Sequence, residues 1–196
     1  MPSQTFLNLN KIKQNNLINC AIHEFSKHPL ENVSINRIIN EANISRGSFY
    51  MYFKDKEDLF EYLLENYRNK TEKLIYESFL NNSGNIKDAF ITIYDKIIDG
   101  FLNYDNCNFF KNAFIYMNSK TEKFLKPGDL SLKISNLIDS DKIEEYDLEF
   151  VFDMFMHNLF LAIVKTIKDD IYFDRNDYIK TLDVLCYGIY KEGKRW

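Results

Sequence analysis

Residues 42–60 read ANISRGSFYMYFKDKEDLF, with two Ser, an Arg, a Gly and two Tyr where a core helix would carry Ala, Leu and Glu. On a helical wheel started at Arg46, Phe49 and Phe53 fall together and face a core. Gly47, Ser48 and Met51 fall on the opposite side, with Tyr50 and Tyr52 on the flanks. The exposed arc therefore holds hydroxyls, a thioether and bare backbone. Taken singly, the tyrosines fit amphipathic packing residues equally well, and Gly47 fits a tolerated change costing about 1 kcal/mol relative to Ala. Together they demand a helix that buries just two Phe in two turns, which is a poor structural element.

Upstream, Ser34 is a good N-cap for a two-turn helix that sets Ile35, Ile38, Ile39 and Ala42 inward and Asn36, Arg37 and Asn40 outward. Asn43 then stands between helices, where a left-handed residue turns the chain. Ser45 caps the next short helix, which ends near Phe53, and Asp55 caps a further one with Asp58 in its first turn. A preceding helix over about 10–26 buries Leu17, Ile18, Ala21, Ile22 and Phe25 and stops before Pro29. Two short helices joined by a tight turn and braced by a third form a helix-turn-helix, whose second member can lie in the DNA major groove.

The residue chemistry of that arc suits a duplex. Gly47 lets the main chain approach phosphate or base edges, and the free N–H groups of a first turn attract anions. Ser48, Tyr50 and Tyr52 can donate to phosphate oxygens. Arg46 can reach guanine O6 and N7, Asn36 can pair with adenine, and Met51 can touch a thymine methyl. Charge divides the same way: residues 1–56 hold 7 Lys and Arg against 4 Asp and Glu, whereas the overall formal charge is -4. A small basic part can meet phosphate while the acidic remainder faces elsewhere, because salt screens over about 10 Å.

The run from 33 to 60, VSINRIINEANISRGSFYMYFKDKEDLF, resembles the signature of TetR/AcrR-type transcriptional regulators. The likeness covers about residues 8–64, from a Ser-started helix through Ser-Arg-Gly-Ser and an aromatic cluster to Lys-x-Lys-Glu-x-Leu. Asn43 stands where the family usually has Gly, and Met51 where it often has a polar or basic residue. The resemblance implies a DNA-binding domain over 1–54 and a helical effector-binding and dimerisation domain over 55–196. It implies that Ser34, Ser48, Tyr50, Tyr52 and Lys56 meet backbone phosphates and that Asn36, Arg46 and Gly47 lie near base edges. Arg37, Ser45 and Met51 complete the expected DNA-contacting set.

The rest of the chain, with few Gly, 3 Pro and no hairpin signal, is expected to be helical too, so the fold class is all-α with about nine helices. The later helices are expected at about 85–104, 106–118, 131–139, 147–168 and 175–191. The one at about 147–168 is apolar almost all round and must be buried on two sides; with its successor it fits a four-helix homodimer interface. A buried helix of a monomer is the alternative. Phe101, Tyr104, Phe110, Phe114, Met117, Phe152, Phe155, His157 and Phe160 are candidates to line a pocket for a small apolar or aromatic effector. Aromatic stripes are more often plain core, and Asp153 with His157 is as readily a structural pair as a ligand anchor.

No enzyme is expected. In HEFSKH at 23–28 the two His lie about 140° apart on a helix and do not share a metal. No phosphate-cradling glycine motif, nucleophile elbow or Cys/His cluster is present, so neither cofactor nor metal is expected. Cys20, Cys107 and Cys186 are too far apart in sequence for a readable disulfide framework. The apolar stretch at 150–164 is interrupted by Asp153, His157 and Asn158, so no membrane span and a cytoplasmic location are expected. The expected function is a ligand-responsive repressor, homodimeric on a palindromic DNA operator. The alternative is a helical small-molecule or protein-binding module without specific DNA binding.

Overall fold

The computed structural model describes residues 2–101, 104–117, 130–138, 148–169 and 174–187, and these are all-helical. Ten α-helices are present among them: α1 Gln4–Leu7, α2 Lys11–Lys27, α3 Ile35–Ala42, α4 Arg46–Tyr52, α5 Lys56–Asn81, α6 Ile86–Phe101, α7 Tyr104–Met117, α8 Leu130–Ser135, α9 Leu148–Asp169 and α10 Arg175–Tyr187. The helix beyond the nine expected is α1, a single turn capped by the Ser3 hydroxyl, which accepts from the Phe6 N–H. By packing, the chain forms two compact units: Met1–Lys70 with Phe101–Leu125, and Thr71–Gly100 with Lys126–Trp196.

Local chemistry sets the helix boundaries of the first unit. The Asn10 side chain accepts from Lys13 N–H, Ser34 from Arg37 N–H and Ser45 from Ser48 N–H, each satisfying a donor that a helix start leaves open. Asp55 accepts from Asp58 N–H at 2.7 Å while Asp58 accepts from Lys54 N–H at 3.1 Å, a reciprocal cap on α5. Asn43 takes the left-handed conformation at φ 53°, and the Ile44 N–H returns to the Ile39 carbonyl at 3.0 Å. That closure turns the chain from α3 into α4 within three residues.

Amides finish two helix ends. Asn16 donates to the Ala42 carbonyl at 2.9 Å, and Asn112 of α7 donates to the Phe25 and Ser26 carbonyls at 2.8 and 3.2 Å. Leu17, Ala21 and Phe25 of α2 are buried, while Ile18 and Ile22 are half-buried at the margin of that core. Aromatic rings fill much of the interior, with Phe25 on Phe60 at 5.0 Å and Phe60 on Phe109 at 5.6 Å. Tyr67 stacks on Phe109 at 5.3 Å, and burial pushes its phenol up to about 12.

In the second unit Phe90 is the hub. Phe79, Phe152 and Phe155 surround it at 5.8, 6.0 and 5.1 Å. Tyr178 of α10 stacks on Tyr94 of α6 at 4.3 Å, and Arg175 forks onto Asp95 at 2.6 and 2.8 Å. No helix among the described residues is long and apolar enough to cross a membrane.

The turn between α5 and α6 runs close against the Leu137 backbone. Gly84 has φ +75°, and a Cβ there would overlap the Leu137 carbonyl. Both the conformation and the space exclude a side chain. Gly84→Ala is therefore expected to destabilise the protein by at least about 2 kcal/mol, read as a lower midpoint in urea unfolding followed by circular dichroism.

Candidate nucleic-acid interface

The site is built on α3, its turn and α4. Phe49 and Phe53 are buried, as their shared arc predicts, and Phe53 lies 4.8 Å from Phe6 and 5.6 Å from Tyr62. Opposite them Tyr50 and Met51 are 47% and 59% exposed. Arg46 and Gly47 are exposed as well, while Ser48 and Tyr52 are half-buried. Gly47 has no packing duty, since the nearest atom to a Cβ built there is Ser45 Oγ at 3.8 Å. Ser45 and Ser48 hydroxyls lie 2.8 Å apart over the first turn.

The predicted contact residues separate into two groups. Asn36, Arg46 and Tyr50 come together at the surface: Arg46 Nη1 donates to Asn36 Oδ1 at 2.8 Å and Nη2 to the Tyr50 hydroxyl at 3.3 Å. The guanidinium carbon stands 5.6 Å from the Tyr50 ring centroid, within cation–π range. Arg37, although its side chain is 51% exposed, and Lys56 are instead tied to neighbouring parts of the unit. Arg37 Nε donates to both oxygens of the buried Glu24, at 2.8 and 2.9 Å, and Nη2 donates to the Asn32 carbonyl at 2.9 Å. Lys56 Nζ donates to the Glu31 carbonyl at 2.7 Å. Ser34 joins the same bracket, its N–H donating to Glu24 Oε1 at 2.9 Å.

Glu24 is thus the anchor that fixes the start of α3 on α2. Burial alone would raise its carboxyl, but the Arg37 fork and the Ser34 N–H outweigh it and hold the group below the ordinary carboxylate range.

An N-terminal strap also supports α4, and the sequence reading missed it. Ser3 N–H donates to the Tyr52 carbonyl at 2.9 Å and its hydroxyl to the Met51 carbonyl, satisfying acceptors that the helix end leaves open. Phe6 is buried 5.9 Å from the Tyr52 ring. Gln14, buried in α2, donates to the Phe6, Leu7 and Leu9 carbonyls at 3.1, 2.9 and 3.0 Å and so ties the strap down. The local signal was present: Ser3 and Asn10 are two N-caps with room between them for one turn around Phe6.

Of the candidate pocket residues, Phe152 and Phe155 share the core around Phe90. Phe160 is half-buried on the same helix. His157 is exposed on the opposite arc, Nδ1 donating to the Asp153 carbonyl at 2.7 Å. Phe110 belongs to the first unit, edge-on to Tyr67 at 4.8 Å. The side chains of Phe101, Tyr104, Phe114 and Met117 lie outside the described ones. Among the described residues no three His, Cys, Asp or Glu gather as a metal site would need.

Residues 17–63, which span the bracing helix, the turn and α4, match the model of the family described as bacterial regulatory proteins, tetR family. The uncharacterized HTH-type transcriptional regulator YdgC of Bacillus subtilis is 22% identical over 186 residues, covering 90% of this chain and 92% of that protein. Over residues 17–63 the chain is thus similar to the tetR family of bacterial regulatory proteins. Two solved structures share its fold. One is the fatty acid degradation regulator FadR of Bacillus halodurans, with a TM-score of 0.72, 16% identity and coverage of 94% of this chain and 100% of that one. The other is FadR of Bacillus subtilis in complex with stearoyl-CoA, with a TM-score of 0.63, 17% identity and coverage of 90% and 99%.

Two measurements separate the anchor from the reading face. Because the folded Glu24 value lies below its ordinary 4.5, its contribution is complete above that pH and is lost as pH falls through the lower folded value. Glu24→Gln should lower the melting temperature by roughly 5 °C at pH 7, with the difference from wild type closing as pH falls through the depressed value of the folded carboxyl. Gly47→Ala should leave stability unchanged or raise it by about 0.5–1 kcal/mol, while DNA affinity in a mobility-shift titration falls about tenfold or more.

Proposed function

We propose that the protein is a cytoplasmic, ligand-responsive repressor that occupies a palindromic operator as a homodimer. The observation that carries this is the outer face of α4: seven residues held by two buried Phe, with Arg46, Gly47, Tyr50 and Met51 turned to solvent. Such a face is costly to maintain unless something covers it, and its donors suit phosphate and base edges. In this reading residues 1–54 contact DNA and residues 55–196 dimerise and bind effector. Ser34, Ser45, Ser48 and Tyr52 flank the reading residues toward phosphate, and Arg37 and Lys56 serve mainly by holding α3 in place.

Exposed apolar side chains on α9 and α10 support the dimer. Phe150 and Leu161 are each 58% exposed along one arc of α9, and Val184 and Tyr187 are exposed on α10. Large apolar groups gathered on adjacent helices favour a self-complementary, two-fold contact. One seven-residue helix spans few base pairs, and two copies reading half-sites about 34–36 Å apart supply the missing specificity. Effector control follows from linkage: a ligand that prefers a dimer whose two α4 helices no longer match that spacing releases DNA in proportion to its preference. Long-chain acyl-CoA is the first effector class to assay, because FadR of Bacillus subtilis holds stearoyl-CoA on the same fold.

The test is titration of the full chain against fragments of its own upstream DNA with excess competitor. A specific complex that survives competitor and weakens linearly with log salt is expected. Binding no tighter than to competitor would end the reading. Leu161→Glu, which retains its helical spectrum, should run as a monomer in light scattering and lose the specific complex; a dimer of unchanged affinity would remove this interface.

A further inference from the structure

The Arg46–Asn36–Tyr50 cluster has a definite hydrogen-bonding polarity. Arg46 has no acceptor, so its 2.8 Å contact fixes the Asn36 amide with Oδ1 toward the guanidinium and Nδ2 away from it. The Tyr50 hydroxyl accepts from Arg46 Nη2 at 3.3 Å, which leaves its own O–H to donate. What the cluster offers outward is a set of donors: the remaining guanidinium N–H groups, the Asn36 NH2 and the Tyr50 O–H. All three residues are exposed, so the arrangement is held by these contacts and the cation–π contact rather than by core packing.

An asparagine reading adenine needs its oxygen for the adenine N6–H2 and its nitrogen for N7. Here the contact with Arg46 turns the oxygen toward the guanidinium and the NH2 outward, so the amide presents a donor where adenine N6–H2 needs an acceptor. A donor-rich face matches instead an edge made of acceptors, and in the major groove guanine N7 and O6 are the adjacent acceptor pair. We propose that Asn36 and Arg46 act as one reading unit, with Asn36 orienting the guanidinium, and that the unit specifies a guanine in each operator half-site. Asn36 is a positioning residue for Arg46 and does not read a separate adenine. Pre-orienting a long side chain also lowers the ordering cost of each contact it makes. The proposal rests on α3 and α4 being the DNA-contacting elements.

The experiment is selection of bound duplexes from a random pool by the full-length wild type, Asn36→Ala, Arg46→Ala and the double variant. Affinities for the selected site are then measured, and melting curves check that each variant is folded. Wild type should enrich guanine at one position per half-site, with a preference of about tenfold or more over other bases. Arg46→Ala should abolish that preference, Asn36→Ala should weaken it at the same position, and the double variant should bind no worse than Arg46→Ala alone. Replacing that guanine by 7-deazaguanine should cost wild type affinity and leave Arg46→Ala unaffected. Relaxation by Asn36→Ala at a different position, with additive losses, would overturn the pairing. So would an Arg46→Ala loss equal for all sequences, which marks a phosphate contact. Absence of any enrichment by wild type would instead remove the DNA-contacting role of α3 and α4, and the proposal with it.

Discussion

Helix α4 has seven residues, too few to persist in water without tertiary support. Every property of the surface it presents therefore depends on Phe49 and Phe53 being buried. The first unit is arranged around that need. Phe6 and Tyr62 close on Phe53, the strap satisfies the carbonyls at the helix end, and Ser45 satisfies the donors at its start. With both ends and the inner face held elsewhere, the outer face is released from any structural duty. The open space around the missing Gly47 Cβ is the clearest sign of this.

The bracket around Glu24 does the same for α3. A buried carboxylate is stable only where it is paired and hydrogen-bonded, and the Arg37 fork with the Ser34 N–H meets that demand. The effect is to fix where α3 begins on α2, and so where Asn36 stands relative to Arg46. Function at the surface thus depends on a polar contact one layer beneath it.

Much of this was legible in the sequence because the deciding signals are local. Ser34, Ser45 and Asp55 act on donors three residues away, Asn43 turns the chain by its own backbone, and the 3.6-residue period separates Phe49 and Phe53 from Met51. What stayed hidden were the long-range partners. A wheel places Arg37 outward but carries no record of Glu24, thirteen residues earlier on another helix. Nothing in the local pattern shows that the Lys56 ammonium rests on the Glu31 carbonyl. His157 stands on the arc opposite Phe152 and Phe155, and an all-round apolar helix gives no sign from its sequence of which of these arcs faces inward. One four-residue helix, α1, is too short for periodicity to reveal and is visible only through its flanking caps.

The independence of Gly47 from the core has a genetic consequence. A chain altered there keeps its fold and, in the dimer proposed here, still couples with normal copies. The mixed assemblies carry one blind half, and random association of equal amounts leaves only a minority with both halves intact. Lesions on this face are therefore expected to act dominantly, poisoning the product of an unaltered gene. Lesions at Gly84, which cost the fold itself, remove a copy without interfering with the other and should be recessive.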